Sequence, residues 1–265
     1  MELDMIARDT LYKIQGIRLL CISTKCCLLA SLLAISSQIH SSEEEDLEIA
    51  LALADVLRAA RSEIAHQQPL INEPSDDAKN LDGERVVELV QSRLASSGKA
   101  DLLDLADGSR QDNLIQAQLD AIREVINENQ PVINRSGVGF KGFVPAVFTR
   151  LVNERFGEKA GRAAKVKVTA PMELVRNRKS RPDIWERGVI EQRFQSESWN
   201  EGELYAELTE LAGVPAYRVM VPEYYGEACL SCHGDPKGSM DITGYPKEGG
   251  KQGDLGGSIS IALFK

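Results

Sequence analysis

Cysteine is scarce in the body of this sequence, and histidine is scarce throughout. The chain has five cysteines and three histidines in 265 residues. Cys21, Cys26 and Cys27 crowd the N-terminus, which leaves Cys229 and Cys232 by themselves downstream. One pair excludes a disulfide framework, and without a second pair a four-ligand zinc site is short of thiolates. Positive charge is in deficit, with 31 Lys and Arg against 40 Asp and Glu and a formal net charge of -9. That balance excludes the basic face that nucleic-acid binding demands. Long apolar runs are missing as well. The strongest, Cys26–Ile35 (CCLLASLLAI), falls well short of the roughly 20 residues of a membrane span. What remains is 43% hydrophobic and 27% charged, enough for an ordinary globular core.

The short apolar run has a basic lead (Arg8, Lys13, Arg18, Lys25) and is followed by SSQIHSS. This is the arrangement of a secretory signal peptide. Residues 1–42 are therefore read as signal peptide and cleavage region, with cleavage between Ala34 and Ser42, and residues 43–265 as one exported domain. A buried helix or an uncleaved anchor is the alternative. No stable membrane span is expected after cleavage, and the bacterial periplasm is the expected location.

Helical periodicity predicts a helix over 43–68, with Leu53, Leu57, Ala60 and Ile64 on one stripe. Further helices are expected over 83–95, 110–129 and 144–156. Leu57–Asn72 (LRAARSEIAHQQPLIN) and Leu119–Asn134 (LDAIREVINENQPVIN) form a short internal repeat at a constant offset of 62 positions. Its Gln-Pro-x-Ile-Asn end reads as a structural helix stop. Period-two alternation then predicts strands over 165–169, 205–211, 216–221 and 258–264. Helices first and short strands later imply an α+β fold with an antiparallel sheet.

Cys229-Leu-Ser-Cys232-His233 is C-x-x-C-H, the attachment pattern of haem c. Two thiols three positions apart reach the two vinyl groups of one haem, and the next histidine lies beneath the iron as proximal ligand. A thioredoxin-like pair would need a helix after it, and GDPKGSMDITGYP is a poor one. For the opposite face of the iron the candidates are His66, Met172, Met220 and Met240, or no protein ligand at all. His66 stands off the apolar stripe of its helix; the alternative is a histidine stabilised by the helix C-terminus. Both remaining cysteines are consumed by haem, so no thiolate is expected there.

Nine of the 21 glycines fall between Gly226 and Gly257, and glycine permits positive φ and close backbone approach to a flat ligand. Tyr245, Lys247 and Lys251 are candidate partners for haem propionates, with a solvated loop as the alternative. Arg176, Arg178, Lys179 and Arg181 form a basic cluster that suits propionates, a partner protein or plain solvent.

The stretch VPEYYGEACLSCHGDPKGSMDITGYPKEGGKQGDLGGSISIALF (Val221–Phe264) resembles an exported c-type haem-binding family with a PAS-like fold. The resemblance extends through IREVINENQPVINRSGVGFKGFVPAVFTRLVNERF and RNRKSRPDIWE. It implies a PAS-like antiparallel sheet with long N-terminal helices and one haem c per chain, packed beside the Gly-rich segment. It implies no settled activity. The function expected is a periplasmic mono-haem sensor of redox state or of a small gaseous ligand, signalling to a partner protein. A soluble electron-transfer cytochrome with a redox partner is the alternative. A peroxidase-like enzyme is a weaker one, and no catalytic constellation beyond the haem motif is recognised.

Overall fold

Residues 42–265 are described by the computed structural model, and the expected leader, with Cys21, Cys26, Cys27 and His40, lies outside them. Leu47–Lys265 cluster as one unit. The helical part consists of α1 (42–66), α2 (Gln68–Ile71), α3 (Gly83–Ser96), α4 (Arg110–Glu128), α5 (Gln130–Ile133) and α6 (Pro145–Ala160). Asp82 and Ser109 cap α3 and α4 by accepting from the amides of Arg85 and Asp112, and α6 opens on Pro145. Both kinds of start satisfy or remove orphan amides. No helix among the described residues is long and apolar enough to cross a membrane.

The internal repeat is larger than its sequence identity suggests. At the same offset of 62 positions, α1, α2 and α3 correspond to α4, α5 and α6. Matching pairs are buried throughout: Ile64 and Ile126, Ile71 and Ile133, Leu81 and Phe143, Val90 and Val152, Leu94 and Phe156. Asn80 and Gly142, also counterparts, both adopt positive φ (50° and 72°).

The expected helix stop is a corner. Pro69 and Pro131 each open a further helical turn, α2 and α5, because proline is tolerated where no intrahelical donor is needed. Gln68 Nε2 donates to Ile64 O at 3.1 Å and to Phe143 O at 3.0 Å. Its counterpart Gln130 donates to Ile126 O at 3.1 Å and to Leu81 O at 2.9 Å. Likewise Asn72 Oδ1 accepts from the Lys141 amide at 3.1 Å, and Asn134 Oδ1 from the Lys79 amide at 3.4 Å. Each copy thus binds the backbone of the other at the equivalent place, the reciprocity of a two-fold relation. The copies diverge where they meet the sheet. Arg58 Nε donates to Glu223 at 2.6 Å, and Arg61 pairs with the same carboxylate. Their counterparts in α4, Asp120 and Arg123, pair with each other, and Arg123 also with Glu84.

The sheet is four-stranded and antiparallel throughout, in the order β1-β4-β3-β2, with β1 (Ala164–Thr169), β2 (Tyr205–Leu211), β3 (Val214–Tyr224) and β4 (Leu255–Phe264). The α+β class matches expectation, but β3 and β4 are longer than the alternation predicts. Pro215 and Pro222 read as breakers, yet each has a single ladder partner, Glu210 of β2 and Ser258 of β4 respectively, and the Pro215 carbonyl also accepts from Lys265 N at 3.0 Å. There a missing amide leaves no ladder bond unmade. Gly257 lies within β4, and the position requires glycine because a Cβ there would lie 2.7 Å from Thr169 O.

Tyr217, Val219, Val221, Ile259, Ile261 and Leu263 point from one face into the helical core. The other face is covered by α7 (Ile184–Val189) and the π-turn that follows it, through Val189, Ile190, Phe194 and Met220. Arg218 is buried on this face, 2.7 Å from Asp183 and with its guanidinium 4.2 Å from the Trp185 ring centre. Trp185 is half-buried at the margin of this second cluster.

Because the corner glutamines satisfy carbonyls of the opposite copy, Gln68→Ala and Gln130→Ala should each lower stability by about 1–3 kcal/mol. Urea unfolding of the two variants checks this; two unchanged midpoints would show that the exchange does not hold the copies together.

Candidate functional site

The C-x-x-C-H motif leaves the sheet at the end of β3. After a register shift between Glu223 and Tyr224, Tyr225 is held by amide bonds to and from the chain entering β4: its N donates to Asp254 O, and Gly253 N donates to Tyr225 O, both at 2.9 Å. A 3-10 turn (Glu227–Cys229) then runs into α8 (Leu230–His233). The helix ends at once, since Gly234 N donates to Leu230 O and a Cβ at Gly234 would lie 2.6 Å from that carbonyl. Cys229 and Cys232 are both free and partly exposed on this single turn.

From Gly238 to Lys247 the chain folds into a hairpin closed by Gly238 N to Lys247 O, Lys247 N to Ser239 O and Asp241 N to Tyr245 O, each 2.8 Å. Asp241 Oδ1 anchors its tip by accepting from the Thr243 amide, the Thr243 hydroxyl and the Tyr245 amide at 2.7–3.1 Å. The hairpin brings Glu248 back to the motif, and Gly250 N donates to His233 O at 2.8 Å.

Three groups converge on the imidazole of His233. Glu248 Oε2 lies 2.9 Å from Nδ1, the Tyr225 hydroxyl lies 3.3 Å from the same nitrogen, and the Tyr225 ring stacks on the imidazole with centroids 5.0 Å apart. A carboxylate only accepts, so Nδ1 carries the proton and donates to it. Nε2 has no hydrogen-bond partner among the described residues. Glycine is required around Tyr225, because a Cβ at Gly256 or Gly250 would lie 2.4 or 2.6 Å from the ring.

Arg176 holds the acids. It donates to Glu248 from Nε (2.8 Å) and Nη2 (3.0 Å), to Asp241 from Nη1 (2.6 Å), and to the carbonyl of Cys232 from Nη2 (2.9 Å). Burial opposes the charge on Glu248, but hydrogen bonds from Arg176 and His233 outweigh it and keep its carboxyl below the ordinary value. Burial likewise opposes charge on Asp241; the bonds from Thr243, Arg176 and Tyr245 overcome this and hold it far below the carboxylate range. Burial, with the Glu248 charge beside it, pushes the Tyr225 phenol up to about 12.

Of the other sequence candidates, Tyr245 borders this cluster at Arg176, while Lys247, Lys251, His66 and the methionines lie outside it. Tyr245 is 46% exposed, with its ring 5.5 Å from the Arg176 guanidinium. Lys247 Nζ reaches the Asp235 carbonyl at 3.4 Å, and Lys251 is exposed. His66 is exposed on the last turn of α1, with no hydrogen-bond or ion-pair partner among the described residues. Met220 is buried in the second cluster, and Met240 and Met172 are exposed. Of the basic cluster, Lys179 pairs with Glu154, while Arg176 is spent on the internal acids. Glu248 and Tyr225 were not legible as site residues, since neither stands in a motif with His233.

Among the described residues no three His, Cys, Asp or Glu side chains converge as a protein-held metal ion would require. Haem c asks less of the chain, two reachable thiols and one imidazole with a free nitrogen, and Cys229, Cys232 and His233 fit it.

A model of the Tll0287-like family matches residues 105–263, more than half of the chain. The match spans α4 to β4 with the whole C-x-x-C-H site; His66 falls outside it. No curated protein and no solved structure shows significant similarity to the chain.

A carboxylate depressed by folding stabilises above its unfolded pKa, about 3.9 for Asp, and its contribution is lost as pH falls toward the folded value. Thermal unfolding of the wild type should therefore weaken from about pH 5 downward. Asp241→Asn should melt lower at neutral pH and lose less on acidification; equal acid slopes in the two proteins would contradict this. Gly256→Ala should also melt lower, because the Tyr225 ring must move.

Proposed function

The chain belongs to the Tll0287-like family, and from that premise we propose that it is an exported periplasmic protein that carries one haem c and senses redox state or a small gaseous ligand. The observation that carries this reading is the division of labour on His233: Nδ1 is committed to Glu248 while Nε2 is free, beside two unpaired thiols on one helical turn. A hydrogen bond that fixes the far nitrogen is how a ligating histidine is held in one tautomer. The thiols of Cys229 and Cys232 would each add across a vinyl group, forming a C–S bond and passing the thiol hydrogen to carbon, with no oxidant consumed. When bound, iron protoporphyrin supplies a one-electron couple and a coordination position for a diatomic ligand. Tyr225 and Glu248 fix the plane of the imidazole, and Arg176 fixes Glu248. Tyr245, Lys247 and Lys251 are the proposed propionate partners. A PAS-like description is supported by a helix-covered sheet whose first strand pairs with its last.

A second reading, a soluble electron carrier, draws on Met240. Met240 is 63% exposed on the hairpin that returns Glu248 to the motif, and a methionine opposite histidine raises the potential in the manner of electron-transfer cytochromes. His66 is the alternative second ligand.

Expression with the c-type maturation machinery should give haem that survives acid–acetone extraction, and Cys229→Ser and Cys232→Ser should each lose one thioether. Extractable haem in the wild type would overturn the assignment. Rapid CO binding by the ferrous protein supports sensing. A low-spin ferrous form indifferent to CO makes electron transfer the better reading, and whichever of Met240→Ala and His66→Ala admits CO identifies the sixth ligand.

A further inference from the structure

The contacts behind His233 do more than hold a ring. A histidine that donates Nδ1–H to a neutral backbone carbonyl keeps ordinary imidazole character. Here the acceptor is a carboxylate at 2.9 Å, with its side chain only 17% exposed. A carboxylate draws the Nδ1 proton toward itself and leaves more electron density on Nε2, so the imidazole becomes a stronger donor to iron and favours the ferric over the ferrous state. The same carboxylate is clamped by the Arg176 guanidinium through two bonds of 2.8 and 3.0 Å. The guanidinium competes with His233 for the lone pairs of Glu248 and moderates that pull. The arrangement has little freedom to relax. Arg176 is anchored a second time on Asp241 and a third time on the Cys232 carbonyl, immediately before His233. The imidazole is stacked on Tyr225, and its backbone carbonyl is fixed by Gly250 N.

We infer that Glu248 is a positioning residue that sets the reduction potential of the haem low by polarising His233, and that Arg176 limits how low. This rests on the haem c reading above. It makes the two charges opposed controls on one observable, which a merely structural pair would not be.

The test is the midpoint potential of the full-length holoprotein, wild type against Glu248→Gln and Arg176→Gln. Glu248→Gln keeps the shape and an acceptor oxygen but loses the charge. It should raise the ferrous-to-ferric ratio at a fixed ambient potential about tenfold, an upward shift of roughly 59 mV. Arg176→Gln frees the carboxylate and should shift the potential downward. An unchanged or lower potential in Glu248→Gln, with haem still covalently attached, overturns the inference and leaves the haem c reading standing. Absence of covalent haem in the wild type overturns that reading instead. Should Glu248→Gln attach no haem, Arg176→Gln decides: a lower potential supports the inference, and an unchanged or higher one overturns it. Loss of attachment in both variants marks the pair as purely structural and overturns it too.

Discussion

The guanidinium of Arg176 joins pieces of chain that would otherwise have little reason to stay together. It binds the carbonyl of Cys232 in the C-x-x-C-H turn, Asp241 at the hairpin tip, and Glu248 where the hairpin returns. That hairpin has almost no apolar anchor: Met240, Ile242 and Tyr245 are all largely exposed. Its position is therefore set by directional polar bonds rather than by hydrophobic burial. Partly buried, charge-assisted bonds of this kind are worth more than exposed ones, and removing one partner leaves the others uncompensated. The geometry around His233 depends on this one side chain because packing has so little hold there.

The rest of the fold supplies a rigid base for that polar assembly. The duplicated helical unit locks its two copies by exchanging glutamine and asparagine bonds across the pseudo-two-fold relation, and the shared apolar positions close a continuous core. One copy then departs from symmetry at Arg58 and Arg61, which grip Glu223 just before the chain turns toward Tyr225 and the motif. A long helix is thereby tied to the strand exit that presents the site. The buried Arg218, paired with Asp183 and lying over Trp185, secures the cover on the opposite face of the sheet.

Much of this was legible from residue order. Strand β2 lies where the alternation put it, and the four expected helices, α1, α3, α4 and α6, begin within a residue of their expected starts, because amphipathic periodicity reports burial directly; the short α2, α5, α7 and α8 were not expected. The two long strands were underestimated because Pro215, Pro222 and Gly257 carry a local breaker signal. That signal is cancelled only by which neighbours each residue has in the sheet. The short repeat could be read over Leu57–Asn72, but its extension through α3 and α6 could not, since those segments share buried positions more than identities.

The sequence by itself determined the α+β class, the paired thiols with their adjoining histidine, and the recurrence of the Gln-Pro-x-Ile-Asn segment. Each is written in local spacing, and local spacing is what covalent geometry and helix or strand periodicity constrain. Only the tertiary structure decided what stands behind His233. Glu248 lies 15 positions further along the chain and Arg176 far upstream; Tyr225 becomes a neighbour only because Gly250 and Gly256 let its ring lie close. A hydrogen bond between such residues leaves no period and no motif in the chain. It exists because a hairpin closes and a single guanidinium holds it closed, and that is a property of the folded state alone.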